Sequence, residues 1–138
     1  MKHIWSVLCL QSIVDTDTNS LTLYDCPDEL HVGLTREKVK EGEKIIIPAN
    51  FELVHLLIDK NIDKDRKFEI KIELYDPKDE KIGSIPGGFV FPKGKSRFRA
   101  RMKIQGIPIT SDGTYVFKVK IEGKIVAEIP LDIKIEWK

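Results

Sequence analysis

The chain has 138 residues, 41% of them hydrophobic and 33% charged, and its 23 basic and 22 acidic side chains leave a net charge of +1. That length supports one domain, residues 1–138, which buries roughly two-thirds of its unfolded surface without disulfide or metal staples. The charge balance lacks the basic surplus of a dedicated nucleic-acid binder, and two cysteines, Cys9 and Cys26, do not make the disulfide framework of a small secreted domain.

No apolar run approaches the roughly 18 residues needed to cross a bilayer. The short run Ile4 to Leu10 lacks a small-residue cleavage site after it, so the expectation is an unprocessed cytoplasmic protein. Three Asn and two Gln beside abundant Lys, Glu and Ile suit a thermophilic or AT-rich source.

His3 to Val14 reads as a first strand with apolar residues on both faces, Trp5, Val7, Cys9 and Ile13 on one and Ile4, Leu8, Leu10 and Val14 on the other. Asp15 to Ser20 is a turn by composition, and Leu21 to Val32 returns as a second strand that Pro27 interrupts. A turn symmetric about Asp17 and Thr18 pairs positions that sum to 35, which sets Cys9 opposite Cys26. Two small packed side chains and a disulfide both suit that placement. Thr35 to Gly42 reads either as one or two helical turns closed by Gly42 or as a charged loop.

Phe51 to Ile58 breaks the alternation. Phe51, Leu53 and Leu57 face one way and Val54, Leu56 and Ile58 the other, so the strand needs cover on both sides. A loop, the short helical segment or a second subunit can supply it. Self-association through Val54, Leu56 and Ile58, with Phe89 and Phe91 beside them, is the reading drawn from this.

Lys67 to Tyr75 alternates cleanly, with Phe68, Ile70, Ile72 and Leu74 inward. Asp76 to Asp79 turns, and Ile82 to Phe91 follows with Pro86, Gly87 and Gly88 inside it. Phe89-Val90-Phe91 is either an edge strand or an exposed docking loop. Lys95 to Ile104 alternates again, Phe98, Ala100, Met102 and Ile104 inward. Thr110 to Trp137 is a long hairpin around Glu122-Gly123, with Tyr115, Phe117, Val119 and Ile121 facing Ile129, Leu131 and Ile133. Together these predict an all-β chain, a two-layer antiparallel β-sandwich of seven or eight strands, immunoglobulin-like, with Tyr115 where such folds place a tyrosine corner. A barrel or a C2-like sandwich gives nearly the same pattern.

Lys95, Arg97, Arg99, Arg101 and Lys103 are the most distinctive candidates for binding. Alternation puts all five on one face about 6.6 Å apart, close to the phosphate spacing of a single strand. Against a polyanion site, Glu69 and Glu73 stand as expected cross-strand partners, and no aromatic residue interleaves with the cations.

Gly88 to Ser96 echoes a phosphate loop, but five residues separate its glycines, Pro92 removes a donor, and a strand follows where a helix is required. Asp15, Asp17 and Asn19 echo the start of a calcium loop, with Ser20 and Cys26 in place of its Gly and Glu. Asp63, Asp65, Asp76, Asp79 and Asp112 keep a calcium or lipid module in view as a weaker alternative. His3, His31 and His55 lack ligand spacing, although His3 and His31 can approach across the first hairpin. With no nucleophile–base constellation, the expectation is a non-enzyme without cofactor or metal.

His3, Trp5 to Cys9, Asp15 and Thr18 to Leu21, together with Arg97, Arg99, Gly106, Pro108, Thr110, Gly113 and Tyr115, resemble a family of small uncharacterised bacterial proteins. The likeness covers both ends and leaves residues 33–94 unmatched, and it implies no activity or cofactor. The foremost functional reading is therefore a self-associating interaction or structural module with a homo-oligomeric or protein partner and no membrane. The alternative is polyanion binding along Lys95 to Lys103, to single-stranded nucleic acid or an acidic partner.

Overall fold

Every regular element in the residues that the computed structural model describes, 1–35 and 44–138, is a β-strand. The strands are β1 (Lys2–Cys9), β2 (Gln11–Val14), β3 (Leu21–Tyr24), β4 (Glu29–Leu34), β5 (Ile45–Ile58), β6 (Arg66–Tyr75), β7 (Lys81–Phe91), β8 (Arg97–Ile109), β9 (Gly113–Ile121) and β10 (Lys124–Trp137). The helical or loop reading beyond Thr35 falls on residues 36–43, outside the described residues.

They form a five-stranded sheet in the order β4-β10-β9-β6-β7, a three-stranded sheet β1-β5-β8, and the β2–β3 hairpin. One pair departs from the antiparallel expectation: β4 runs parallel to β10, Asp132 opposite Glu29 to Trp137 opposite Leu34.

The two larger sheets share one core. Phe68, Ile70, Ile72, Phe117, Val119, Leu131 and Ile133 come from the five-stranded sheet, and Leu53, Leu57, Ala100, Met102, Ile104 and Ile107 from the other. The period of two seen in sequence is the reason, since every second side chain reaches the same face. Burying each large apolar side chain stabilises the fold by about 1.5–3 kcal/mol.

Glu122 (φ 51°) and Gly123 (φ 79°) make the two-residue turn of the β9–β10 hairpin, both left-handed as its right-handed twist requires. At the head of β9, the buried Tyr115 hydroxyl donates to the Ser111 carbonyl (2.8 Å) and accepts from the Thr110 and Ser111 amides (3.1 and 3.3 Å).

Two strands run further than alternation suggested. β5 starts at Ile45, and its register against β8 shifts between Ile47 and Asn50, around Pro48. Gly106 stands opposite that shift at φ 77°, and a Cβ there would lie 2.7 Å from Ile46 Cγ2. Only glycine fits both constraints.

The expected first strand divides at Leu10. β2 and β3 pair from Gln11 opposite Tyr24 to Val14 opposite Leu21, the register that the turn implied. That ladder then stops. Leu10 donates its amide to the Tyr24 and Asp25 carbonyls, and Cys9 pairs with Glu52 on β5. Cys9 and Cys26 are therefore not ladder partners; Cys9 is buried, Cys26 exposed, and both are free.

Candidate functional site

The three-stranded sheet carries the basic row on its outer face. Ile58 pairs with Arg97, Leu56 with Arg99, Val54 with Arg101 and Glu52 with Lys103. On the other side of β5, Trp5 pairs with Leu56 and Val7 with Val54. Directly paired residues project to the same face, so the cations, aliphatic residues, Trp5 and one carboxylate, Glu52 opposite Lys103, share one surface.

Glu69 and Glu73 do not neutralise this row, contrary to expectation. They lie on β6, in the other sheet. Glu73, only 3% exposed, instead takes Lys120 (2.5 Å), Lys81 (3.2 Å) and Lys71 (3.9 Å). The hydrogen bond from Lys120 leads in lowering its pKa to about 2. Among the described residues no ion pair engages Lys95, Arg97, Arg99, Arg101 or Lys103.

The second cover over β5 comes from inside the chain, where the β2–β3 hairpin reaches this face. Ser12 Oγ donates to the Glu52 carboxylate, Arg101 Nη1 reaches Ser12 Oγ at 3.5 Å, and Arg99 Nη2 donates to the Asn19 carbonyl at 2.9 Å. Of the residues read as a self-association patch, Val54 and Phe91 are fully buried within the one chain. Leu56, Ile58 and Phe89 are half-buried.

Phe89-Val90-Phe91 forms the end of edge strand β7, not a projecting loop. Phe89 and Phe91 join Phe68 and Phe98 in an aromatic cluster with centroids 5.6 to 6.5 Å apart.

Between the hairpin and β8 lies a groove of about 500 Å³. Trp5, Val14, Leu21 and Leu56 supply its apolar lining; Lys95, Arg97, Arg99 and Arg101 supply its charge. Arg97 and Arg101 are exposed and Arg99 half-buried, while Lys103 lies beyond the groove in line with them. Trp5 is the residue that sequence reasoning missed. An aromatic was sought on the basic strand itself, whereas strand order brings one from β1.

The other candidates separate. His3 and His31 sit in different sheets, so the expected approach does not occur: His31 pairs with Glu29 (2.8 Å) and Glu136 (3.4 Å). His3 Nε2 is hydrogen-bonded to Ser6 Oγ (2.7 Å), which is hydrogen-bonded to His55 Nδ1 (2.6 Å). His55 is fully buried, its Nε2 has no partner, and desolvation first, then His3, pushes its pKa down to about 4.

Asp15 Oδ1 accepts the Asp17 and Thr18 amides, Asp65 Oδ1 that of Lys93, and Asp76 Oδ1 those of Lys78 and Glu80. These aspartates shape separate turns. Among the described residues no three His, Cys, Asp or Glu side chains gather as metal ligands. Gly88 lies within β7, and no helix follows the segment that echoed a phosphate loop.

No helix among the described residues is long and apolar enough to cross a membrane. No curated protein matches the chain. Among solved structures, the Pseudomonas fluorescens alkylpurine DNA glycosylase AlkC bound to DNA containing an abasic site analog is similar at 11% identity and a TM-score of 0.47. That match takes in 78% of this chain and only 28% of the glycosylase, and it carries no argument about function. A family model matches residues 46–134, which includes the late Arg97-to-Tyr115 segment and most of the middle that the sequence resemblance left unmatched. On that match over most of its length, the chain belongs to a family of unknown function, DUF6941.

Proposed function

We propose that the protein is a non-enzymatic, cytoplasmic binding module whose groove between β8 and the β2–β3 hairpin holds an anionic chain. One observation carries the reading. The directly opposed neighbours of Arg97, Arg99 and Arg101 are Ile58, Leu56 and Val54, none of them a carboxylate, while the one carboxylate on this face, Glu52, stands opposite Lys103 and accepts from Ser12. Closely spaced cations without ion-pair partners repel one another, and a bound anion removes that cost. Leu56 and Trp5 beside them add apolar surface that a simple counter-ion leaves unused.

The finer fold assignment is an immunoglobulin-like sandwich. Its support is the strand order, β1-β5-β8 facing β10-β9-β6-β7, with the first, second and fifth core strands against the seventh, sixth, third and fourth. Tyr115 adds to it, since its hydroxyl bonds back to Ser111 from the start of the penultimate strand.

The test is titration with inorganic polyphosphate at low salt, comparing the native chain with a Lys95→Glu, Arg97→Glu variant. Both residues line the groove and neither side chain bonds to the hairpin, so circular dichroism should be unchanged while affinity collapses. Equal affinity of the two proteins refutes the reading.

Self-association is the second reading. Ile13 (43% exposed) and Tyr24 (47%) share the outer side of the hairpin, with Leu10 (48%) at its base. Sedimentation showing a strict monomer at micromolar concentration removes it.

A further inference from the structure

We infer, building on the anion-binding reading above, that the occupant of this groove is single-stranded nucleic acid, with phosphates along Arg97, Arg99 and Arg101 and a base against Trp5. The groove has two chemically different sides. β8 presents a guanidinium at every second residue, a repeat of about 6.6 Å, and three of the five cations of the row are arginines, whose planar forks match phosphate oxygens. Trp5 stands on β1, two strand spacings away, or about 9.5 Å across the sheet.

A ligand that uses both sides has regularly spaced anions on one edge and flat apolar groups reaching sideways from them. A nucleotide strand has that form. Polyphosphate lacks the flat group, and an acidic peptide offers carboxylates at a similar repeat without it. A duplex keeps its bases stacked inside, away from Trp5.

The volume of about 500 Å³ suits a base with its sugar. Among the described residues the groove lining includes no His, Cys, Asp or Glu, and Lys95 is its one side chain of a general acid–base type. Aromatic platforms combined with a basic track are how single strands are held without sequence readout.

The experiment uses the whole chain with Trp137→Phe, which leaves Trp5 as the sole tryptophan reporter. A thymidine oligomer, an abasic oligomer of equal length and polyglutamate are titrated by fluorescence, and labelled oligomers by anisotropy. The thymidine oligomer should quench Trp5 and bind about tenfold more tightly than the abasic one, the size of one base–aromatic stack. Its log affinity should fall against log salt with a slope of about −0.7 per phosphate contacted. Trp5→Leu should erase the preference for bases and leave abasic binding intact. If that variant does not fold, the quenching contrast between the two oligomers in the Trp137→Phe protein decides the matter alone. Equal binding of both oligomers, or tighter binding of polyglutamate, overturns the nucleic-acid assignment and leaves the anion site standing. Binding of none of the three overturns both.

Discussion

Arg99, in the middle of the basic row, donates from Nη2 to the backbone carbonyl of Asn19 at 2.9 Å, and so one of the groove's cations also holds the tip of the hairpin that walls it. A hydrogen bond from a charged donor contributes about 1.5–3 kcal/mol when shielded and less at a half-exposed site. Arg99→Ala should therefore accelerate amide exchange at Leu21 to Tyr24 severalfold and leave the core amides near Val119 unchanged. Unaltered exchange in the hairpin would show that Arg99 contributes nothing to its closure.

His55 makes stability depend on pH. Its folded pKa of about 4 lies below the ordinary 6.5, because burial favours the neutral ring. The contribution is complete above pH 6.5 and is lost as pH falls through 4. Between pH 7 and 4.5 the loss is about 2–3 kcal/mol. Urea midpoints at those two pH values should differ for the native chain, and the difference should shrink in His55→Gln. A midpoint independent of pH in the native chain rules the account out.

Glu73 acts in a lower window. With its pKa held near 2 by Lys120 and Lys81, its stabilisation is present above pH 4.5 and disappears as pH falls through 2. Glu73→Gln should be less stable than the native chain at neutral pH, and the two melting curves should converge toward pH 2.

Tyr115→Phe keeps the buried ring and removes only the hydroxyl. The Ser111 carbonyl loses a donor, and two amides, Thr110 and Ser111, lose their acceptor. The expected cost is about 1–3 kcal/mol, read as a drop in the urea midpoint. A change within error would mean that water replaces the hydroxyl.

Gly106→Ala combines two penalties, a left-handed φ of 77° and a Cβ 2.7 Å from Ile46 Cγ2. About 2 kcal/mol or more of destabilisation is expected in chemical denaturation. A Gly106→Ala chain as stable as the native one would mean that the β5–β8 register can shift at this point.

Much of the fold was legible because alternation is a local property. The inward sets of β6 and β9, the β9–β10 turn and the β2–β3 register all follow from neighbours in sequence. Strand order does not. Glu69 and Glu73 looked like partners of the basic row because β6 alternates as β8 does, yet nothing local says that the two strands belong to different sheets. The apolar second face of Phe51 to Ile58 correctly signalled a second cover. Its source, a hairpin some thirty to forty residues earlier, depends on Leu10 ending one ladder and starting another. The aromatic wall of the groove stayed hidden for the same reason: Trp5 reaches Arg99 only through Leu56 between them.

The parallel pairing of β4 with β10 ties residues 29–34 to residues 132–137. During synthesis this ladder of the five-stranded sheet must wait until residues 132–137 have left the ribosome, because closing so large a ring comes late and costs entropy. Until then Leu30 and Val32 have no strand to lie beside, and a nascent chain stalled before Asp132 exposes them to chaperones.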